Sequence, residues 1–230
     1  MHSELVRVSG LPLASFRREH VDQQVERACA RERVSGAEAL ARTLRSDGEA
    51  RHRFRRSVAI SYGAMFRDPE QFTLLEEVLL PRLLAGGTRL SVWSAGCADG
   101  AELHTLGLLA TRLGVLERTV LLGSDLLEEN LALARAGDYP DELRARMRWE
   151  RRDLAADGPP PGRWRLVLCR NVAIYLAPAA REALYSTLAA ALSVRGILLL
   201  GRSERLIHPE QYGLRPAGPH AYERVACGAA

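Results

Sequence analysis

The stretch SVWSAGCADGAELHT, Ser91 to Thr105, runs from an apolar segment into Gly96-x-x-x-Gly100 and then presents Glu102. Glycines carry no Cβ, so a ligand can lie against the backbone there as the next helix begins. Two glycines after a strand also make an ordinary turn, so this signal is unspecific alone. Three later apolar runs end in groups a nucleoside needs. The run Val120 to Ser124 ends at Asp125, whose carboxylate can accept hydrogen bonds from a ribose diol or cap the following helix. Asp153 can take the exocyclic amine of adenine while Leu154 covers the ring, and Asn171 follows the run that ends at Cys169. Four consecutive strand ends with suitable groups carry more weight than any one of them.

The dinucleotide fingerprint G-x-G-x-x-G is absent, and a chain without a single lysine cannot form the P-loop G-x-x-x-x-G-K-[ST]. A phosphate-free nucleoside fits better. S-adenosylmethionine is such a ligand, and its ammonium and sulfonium favour a nearby carboxylate, which gives Glu102 a role. Other reactive residues read as bland. Cys97 has no base nearby in sequence, and His104 has no second ligand at i+4, so neither a nucleophile nor a metal site is expected. Cys29, Cys97, Cys169 and Cys227 are scattered, which speaks against zinc and disulfides and for a reducing compartment.

The elements that position these groups follow from periodicity. From Leu90 onward, apolar runs (90–94, 120–124, 147–151, 166–169 and 197–200) alternate with helical patterns, which predicts an α/β fold with a mainly parallel sheet covered by helices. Trp93, Trp149 and Trp164 are expected to fill its core. QFTLLEEVLLPRLLA predicts one helix closed by Gly86-Gly87, and DGPPPG a short rigid turn. Residues 1–66 read as a helical module, with Val21, Val25, Ala28 and Cys29 on one helix face and a capping box from Ser35 to Glu38 opening the next helix. The boundary is placed at 66/67. All 32 basic residues are arginine and the net charge is +4, so part of the basicity is compositional bias; RHRFRR at 51–56 reads as a solvated helix face. There is no apolar signal core at the N-terminus and no run long enough to span a bilayer, so a cytoplasmic protein without membrane insertion is expected.

Taken together, SVWSAGCADGAELHTLGLLA, LLGSDLLEENLALARAGDYP, WRLVLCRNVAIYLAPAAREALYSTLAAALSVRGILLLGRSERL and the upstream AMFRDPEQFTLLEEVLLPRLL resemble the chemotaxis-receptor methyltransferases of the CheR type. The resemblance implies a class I S-adenosylmethionine-dependent methyltransferase domain (Rossmann-like, seven-stranded) behind a substrate-facing helical domain. It implies methyl transfer from S-adenosylmethionine to a glutamate carboxylate, with S-adenosylhomocysteine as product, on an acidic helical protein such as a chemoreceptor cytoplasmic domain. Carried over residue by residue, Ser61, Gly63, Arg67, Ala95, Gly96, Gly100, Glu102, Asp125, Asp153, Leu154, Asn171 and Val172 match cofactor-contacting positions, and Arg67 and Tyr175 match residues beside the reacting groups.

The chain departs from the family pattern at several points. Ser61 and Gly63 stand where an asparagine and a threonine are usual, Met65 replaces the first phenylalanine of F-F-R-D, Ala101 the first of paired glutamates, Arg202 the histidine of G-H-S-E, and Asp153 an asparagine. Between GDYP and RWERRDL the chain lacks room for the β-subdomain that tethers receptor tails in relatives. These changes keep an alternative open, a weak or inactive module that binds S-adenosylmethionine or S-adenosylhomocysteine for regulation. A nucleic-acid methyltransferase is disfavoured, because neither a proline-rich catalytic tetrapeptide nor stacking aromatics accompany Asn171, so no nucleic-acid partner is expected.

Overall fold

The structure is a computed structural model that describes residues 2–59, 68–85 and 87–226. It divides into two compact units, residues 2–59 with Tyr175–Arg181 and the remaining described residues. The expected boundary at 66/67 lies outside the described residues.

In the helical unit, α1 (Ser3–Ser9), α2 (Arg18–Glu32), α3 (Gly36–Ser46) and α4 (Gly48–Ala59) each bury one stripe. Val21, Gln24, Val25 and Ala28 of α2 recur at three- and four-residue spacing and meet Leu40, Ala41, Leu44 and Phe54 in a core closed to solvent. Cys29, expected on that face, is only half-buried. The Ser35 capping box does not form, since Ser35 makes no side-chain cap bond. Arg33 in left-handed conformation ends α2, and Gly36 opens α3 at φ +81° after an extended Ser35. Asp47 is the residue that caps, accepting from Ala50 N–H at 3.0 Å ahead of α4. In RHRFRR, Phe54 points inward while Arg53 pairs with Glu32.

The second unit is built on a seven-stranded sheet of order β3-β2-β1-β4-β5-β7-β6. Its strands are β1 (Leu90–Ala95), β2 (Thr119–Asp125), β3 (Met147–Arg151), β4 (Trp164–Cys169), β5 (Leu192–Leu200), β6 (Leu214–Gly218) and β7 (Ala221–Arg224). The first five are parallel and β7 runs antiparallel between β5 and β6. The parallel strands are near-continuous apolar runs because helices cover both faces. These helices include α7 (Ala101–Arg112), α8 (Glu128–Ala136), the short α9 (Asp141–Arg144) and α10 (Pro178–Ala191). From β1 the chain moves outward to β2 and β3, then returns across β1 to β4. Strand order therefore reverses between β1 and β4, where a crevice opens at the carboxyl ends. This is the mainly parallel seven-stranded sheet that the resemblance implies.

The helix expected over QFTLLEEVLLPRLLA is interrupted. α5 (Pro69–Leu74) and α6 (Leu80–Leu84) flank a π-helical turn at Leu75–Leu79. Pro81 has no N–H and its ring collides with a carbonyl one turn back, so the ladder widens ahead of it. Trp93 and Trp164 are buried as expected, but Trp149 is only partly so and stacks on Tyr139 with centroids 6.3 Å apart. No helix among the described residues is long and apolar enough to cross a membrane.

Candidate active site

At the end of β1, Ala95 is buried and Gly96 takes φ +81°, turning so that its N–H and that of Cys97 both donate to the carbonyl of Ser124 at 2.8 and 2.9 Å. The bare face of Gly96 is where the other strand ends arrive. A Cβ built on Gly96 would lie 2.6 Å from Val172 Cγ2 and 3.9 Å from Leu154 Cδ1. The ends of β1, β3 and β4 thus converge on one point, and only a glycine lets them. Gly96→Ala combines a left-handed backbone with displacement of Val172, and is expected to weaken S-adenosylhomocysteine binding about tenfold or more in calorimetry. Unchanged affinity would remove Gly96 from the site.

Gly100 serves differently. At φ +85° it opens α7, and its missing side chain leaves room for Trp149 and for Tyr139 Oη, 2.6 and 2.9 Å from where a Cβ would stand. His104 meets Tyr139 edge-on at 4.9 Å, and burial lowers its pKa. This aromatic stack is a wedge under the turn.

Asp125 ends β2 with only 8% of its surface exposed. Its Oδ1 accepts from Leu127 N–H and Asn130 Nδ2, each at 2.9 Å, and Oδ2 from Ala98 N–H at 3.0 Å. Burial pushes its pKa up, and these hydrogen bonds oppose the shift. The two readings of Asp125, ribose partner and organiser of the next helix, are therefore compatible. Of about four acceptor positions on a carboxylate, three are taken, which leaves one on Oδ2.

Past β3, Asp153 Oδ1 accepts from Ala155 N–H at 3.0 Å and closes a turn. Past β4, Asn171 takes φ +61° and Val172 follows onto Gly96. Ser61, Gly63 and Arg67 lie outside the described residues. Tyr175 belongs to the helical unit, where its carbonyl accepts from Arg17 N–H at 2.9 Å and its ring lies 5.2 Å from His20.

Glu102 is more committed than its sequence position implies. Oε1 accepts from Ser94 Oγ–H at 2.7 Å, and Oε2 pairs with Arg170 Nη1 at 2.9 Å. Arg170 is a hub that the sequence reading missed. Its side chain is 4% exposed, it donates through Nε to Gln71 Oε1 at 2.8 Å and through Nη2 to Asp68 Oδ2 at 2.9 Å, and it lies 5.1 Å from the Phe72 ring centroid. Its signal was an arginine directly after Cys169, the fully buried last residue of β4. Glu204, also missed, holds the Asn171 turn. Cys97 is no nucleophile, because burial pushes its thiol well above the ordinary range.

The family model described as "CheR methyltransferase, SAM binding domain" matches residues 62–143 and 140–217. This chain belongs to the CheR methyltransferase family. The two matched segments overlap at 140–143, where α8 connects to β3 through the short α9. Among curated relatives, the chain is similar to a chemotaxis protein methyltransferase of Listeria innocua, 29% identical over 198 residues, covering 74% of this chain and 75% of the relative. It is also similar to chemotaxis protein methyltransferase 1 of Pseudomonas aeruginosa, 30% identical over 191 residues, covering 67% and 70%. Among solved structures, a TehB-like SAM-dependent methyltransferase from Corynebacterium glutamicum aligns at TM-score 0.46 and 17% identity over 76% of this chain and 94% of that one. The cofactor of this CheR-family protein is S-adenosylmethionine. The residues present fit it, since the Gly96–Leu154–Val172 cradle takes an apolar ring edge and Asp125 keeps an acceptor beside it.

Proposed function

We propose that this CheR-family methyltransferase esterifies glutamate side chains of a chemoreceptor-like signalling protein in the cytoplasm. The observation that carries the reading is how little acid–base apparatus stands at the strand ends. Among the described residues, Glu102 and Asp125 are engaged in hydrogen bonds of their own, the Cys97 thiol and Tyr139 phenol are pushed upward, and His104 is a weakened base packed on Tyr139. Such a site suits an acceptor that needs no deprotonation, and a glutamate is already ionised near neutral pH. S-adenosylmethionine supplies a methyl group on a sulfonium, which the carboxylate oxygen takes as the S–CH3 bond breaks to a neutral thioether. The protein's part is alignment and exclusion of water.

The names of the Listeria and Pseudomonas relatives support a chemoreceptor class of substrate. The helical unit supports an acidic one, because Arg17, Arg18, Arg27, Arg31 and Arg33 are exposed in and beside α2. The substrate-facing role then falls to the helical unit and the cofactor to the unit built on the sheet. The test is incubation with methyl-labelled S-adenosylmethionine and acidic helical receptor fragments, followed by alkali. Label released as methanol is expected, because a glutamyl methyl ester is base-labile. Base-stable label would point to another acceptor, and cofactor binding without transfer to candidate proteins would point to a regulatory module.

A further inference from the structure

Glu204 lies past β5 in a turn closed by its own N–H on the Gly201 carbonyl at 2.9 Å, and it is 3% exposed. Its carboxylate gathers four main-chain donors. Oε1 accepts from Val172 N–H at 2.9 Å and Ala173 N–H at 2.7 Å, and Oε2 accepts from Asn171 N–H and Gly201 N–H, each at 2.8 Å. That fills the roughly four acceptor positions a carboxylate offers, so Glu204 binds no ligand and moves no proton. What it does is shape the corner after β4.

Three features make the corner depend on it. Asn171 is held at φ +61°, a conformation that persists in a residue with a side chain when its surroundings impose it. The next side chain, Val172, is the one that occupies the space over Gly96. Glu204 is itself fixed from the β6–β7 side, where His220 Nδ1 lies 2.8 Å from its carbonyl oxygen and Tyr222 Oη accepts from Leu206 N–H at 3.0 Å.

We infer that Glu204 is a positioning residue of the methyltransferase site, its carboxylate setting the Asn171–Val172 corner against Gly96 and thereby the surface that receives the adenosyl group. The inference rests on the reading that Asn171 and Val172 face the cofactor. Glu204→Gln keeps one acceptor oxygen but turns an amide N–H2 toward two N–H donors, so half the clamp becomes repulsive. Gly201→Ala attacks the same clamp from the backbone, because its Cβ would fall 2.7 Å from Glu204 Oε2 and 2.9 Å from Asn171 N. Both variants are expected to raise the Kd for S-adenosylhomocysteine and the KM for S-adenosylmethionine about tenfold or more, with kcat at saturating cofactor nearly unchanged, the pattern of lost uniform binding.

Glu223→Gln is the control. Glu223 is equally buried but binds Arg82 and Arg215, each at 2.7 Å, so its loss should lower Tm without moving the cofactor Kd. Wild-type affinity in folded Glu204→Gln and Gly201→Ala, whatever their Tm, would overturn the inference and leave Glu204 as a stabilising residue only. Should Glu204→Gln not fold, Gly201→Ala decides the matter by the same Kd. If Asp125→Ala also bound the cofactor normally, the reading of the cofactor site would fail instead.

Discussion

Arg170→Met is expected to lower the melting temperature by about 6–12 °C, the largest loss of stability from any single change at the strand ends. Removing one member of a buried ion pair typically costs about 3–5 kcal/mol because the abandoned charge stays buried. Here Glu102 and Asp68 would both lose a buried cation, but Asp68 keeps Arg202 at 3.9 Å and Glu102 keeps Ser94, and their side chains are 21% and 17% exposed, respectively, so the lower figure applies. At roughly 2–4 °C per kcal/mol for a domain of this size, about 3 kcal/mol gives the stated shift. Thermal unfolding followed by circular dichroism reads it. Arg170→Lys should recover less than half, since an ammonium cannot serve Gln71, Glu102 and Asp68 in three directions as the planar guanidinium does. Pairing Arg170→Met with Glu102→Gln should recover part of the loss, because the abandoned charge is gone. A shift within about 2 °C would show that the hub is incidental.

Asp125→Ala is expected to weaken S-adenosylhomocysteine binding about a hundredfold while lowering Tm only modestly. The two effects have different balances. For stability, the change removes a buried carboxylate whose desolvation already raises its pKa, which offsets part of what is lost when Ala98 N–H, Leu127 N–H and Asn130 Nδ2 lose their acceptor. For binding there is no offset. The proposed ribose partner disappears and the glycine turn, tied to β2 through Ala98, loosens together with it; a few kcal/mol is about a hundredfold. Asp125→Asn should not rescue binding, because if its carbonyl keeps Leu127 and Asn130, its N–H2 faces Ala98 N–H. Calorimetry on both variants checks this. Rescue by asparagine would mean that charge and the Oδ2 acceptor do not matter there.

The parallel core was legible because each strand is a short apolar run ended by a polar group, and the class I order followed once those runs were matched to a family. The meeting of Gly96, Leu154 and Val172 was legible for the same reason, since a strand end is local in sequence. The edge hairpin was not, because β6 carries Pro216 and Gly218 and its pattern is too short to separate from a loop. The π turn before Pro81 depended on how a helix already packed would relieve one collision, which periodicity does not encode. Arg170 and Glu204 escaped because their meaning is three-dimensional. Residues 68, 71, 102 and 170 are remote in sequence and meet around one guanidinium, and Glu204 acts on backbone amides, which carry no residue identity. Glu102 was singled out from its place after the glycines, but no spacing rule reveals that Ser94 and Arg170 also hold it.

The most direct test of the cofactor site is a crystal structure of the protein with S-adenosylhomocysteine. The account predicts adenine against Leu154 and Val172, the ribose hydrogen-bonded to Asp125 Oδ2, and the backbone of Gly96 in contact with the ligand. Density for the ligand elsewhere, or a ribose that leaves Asp125 without a new partner, would contradict it.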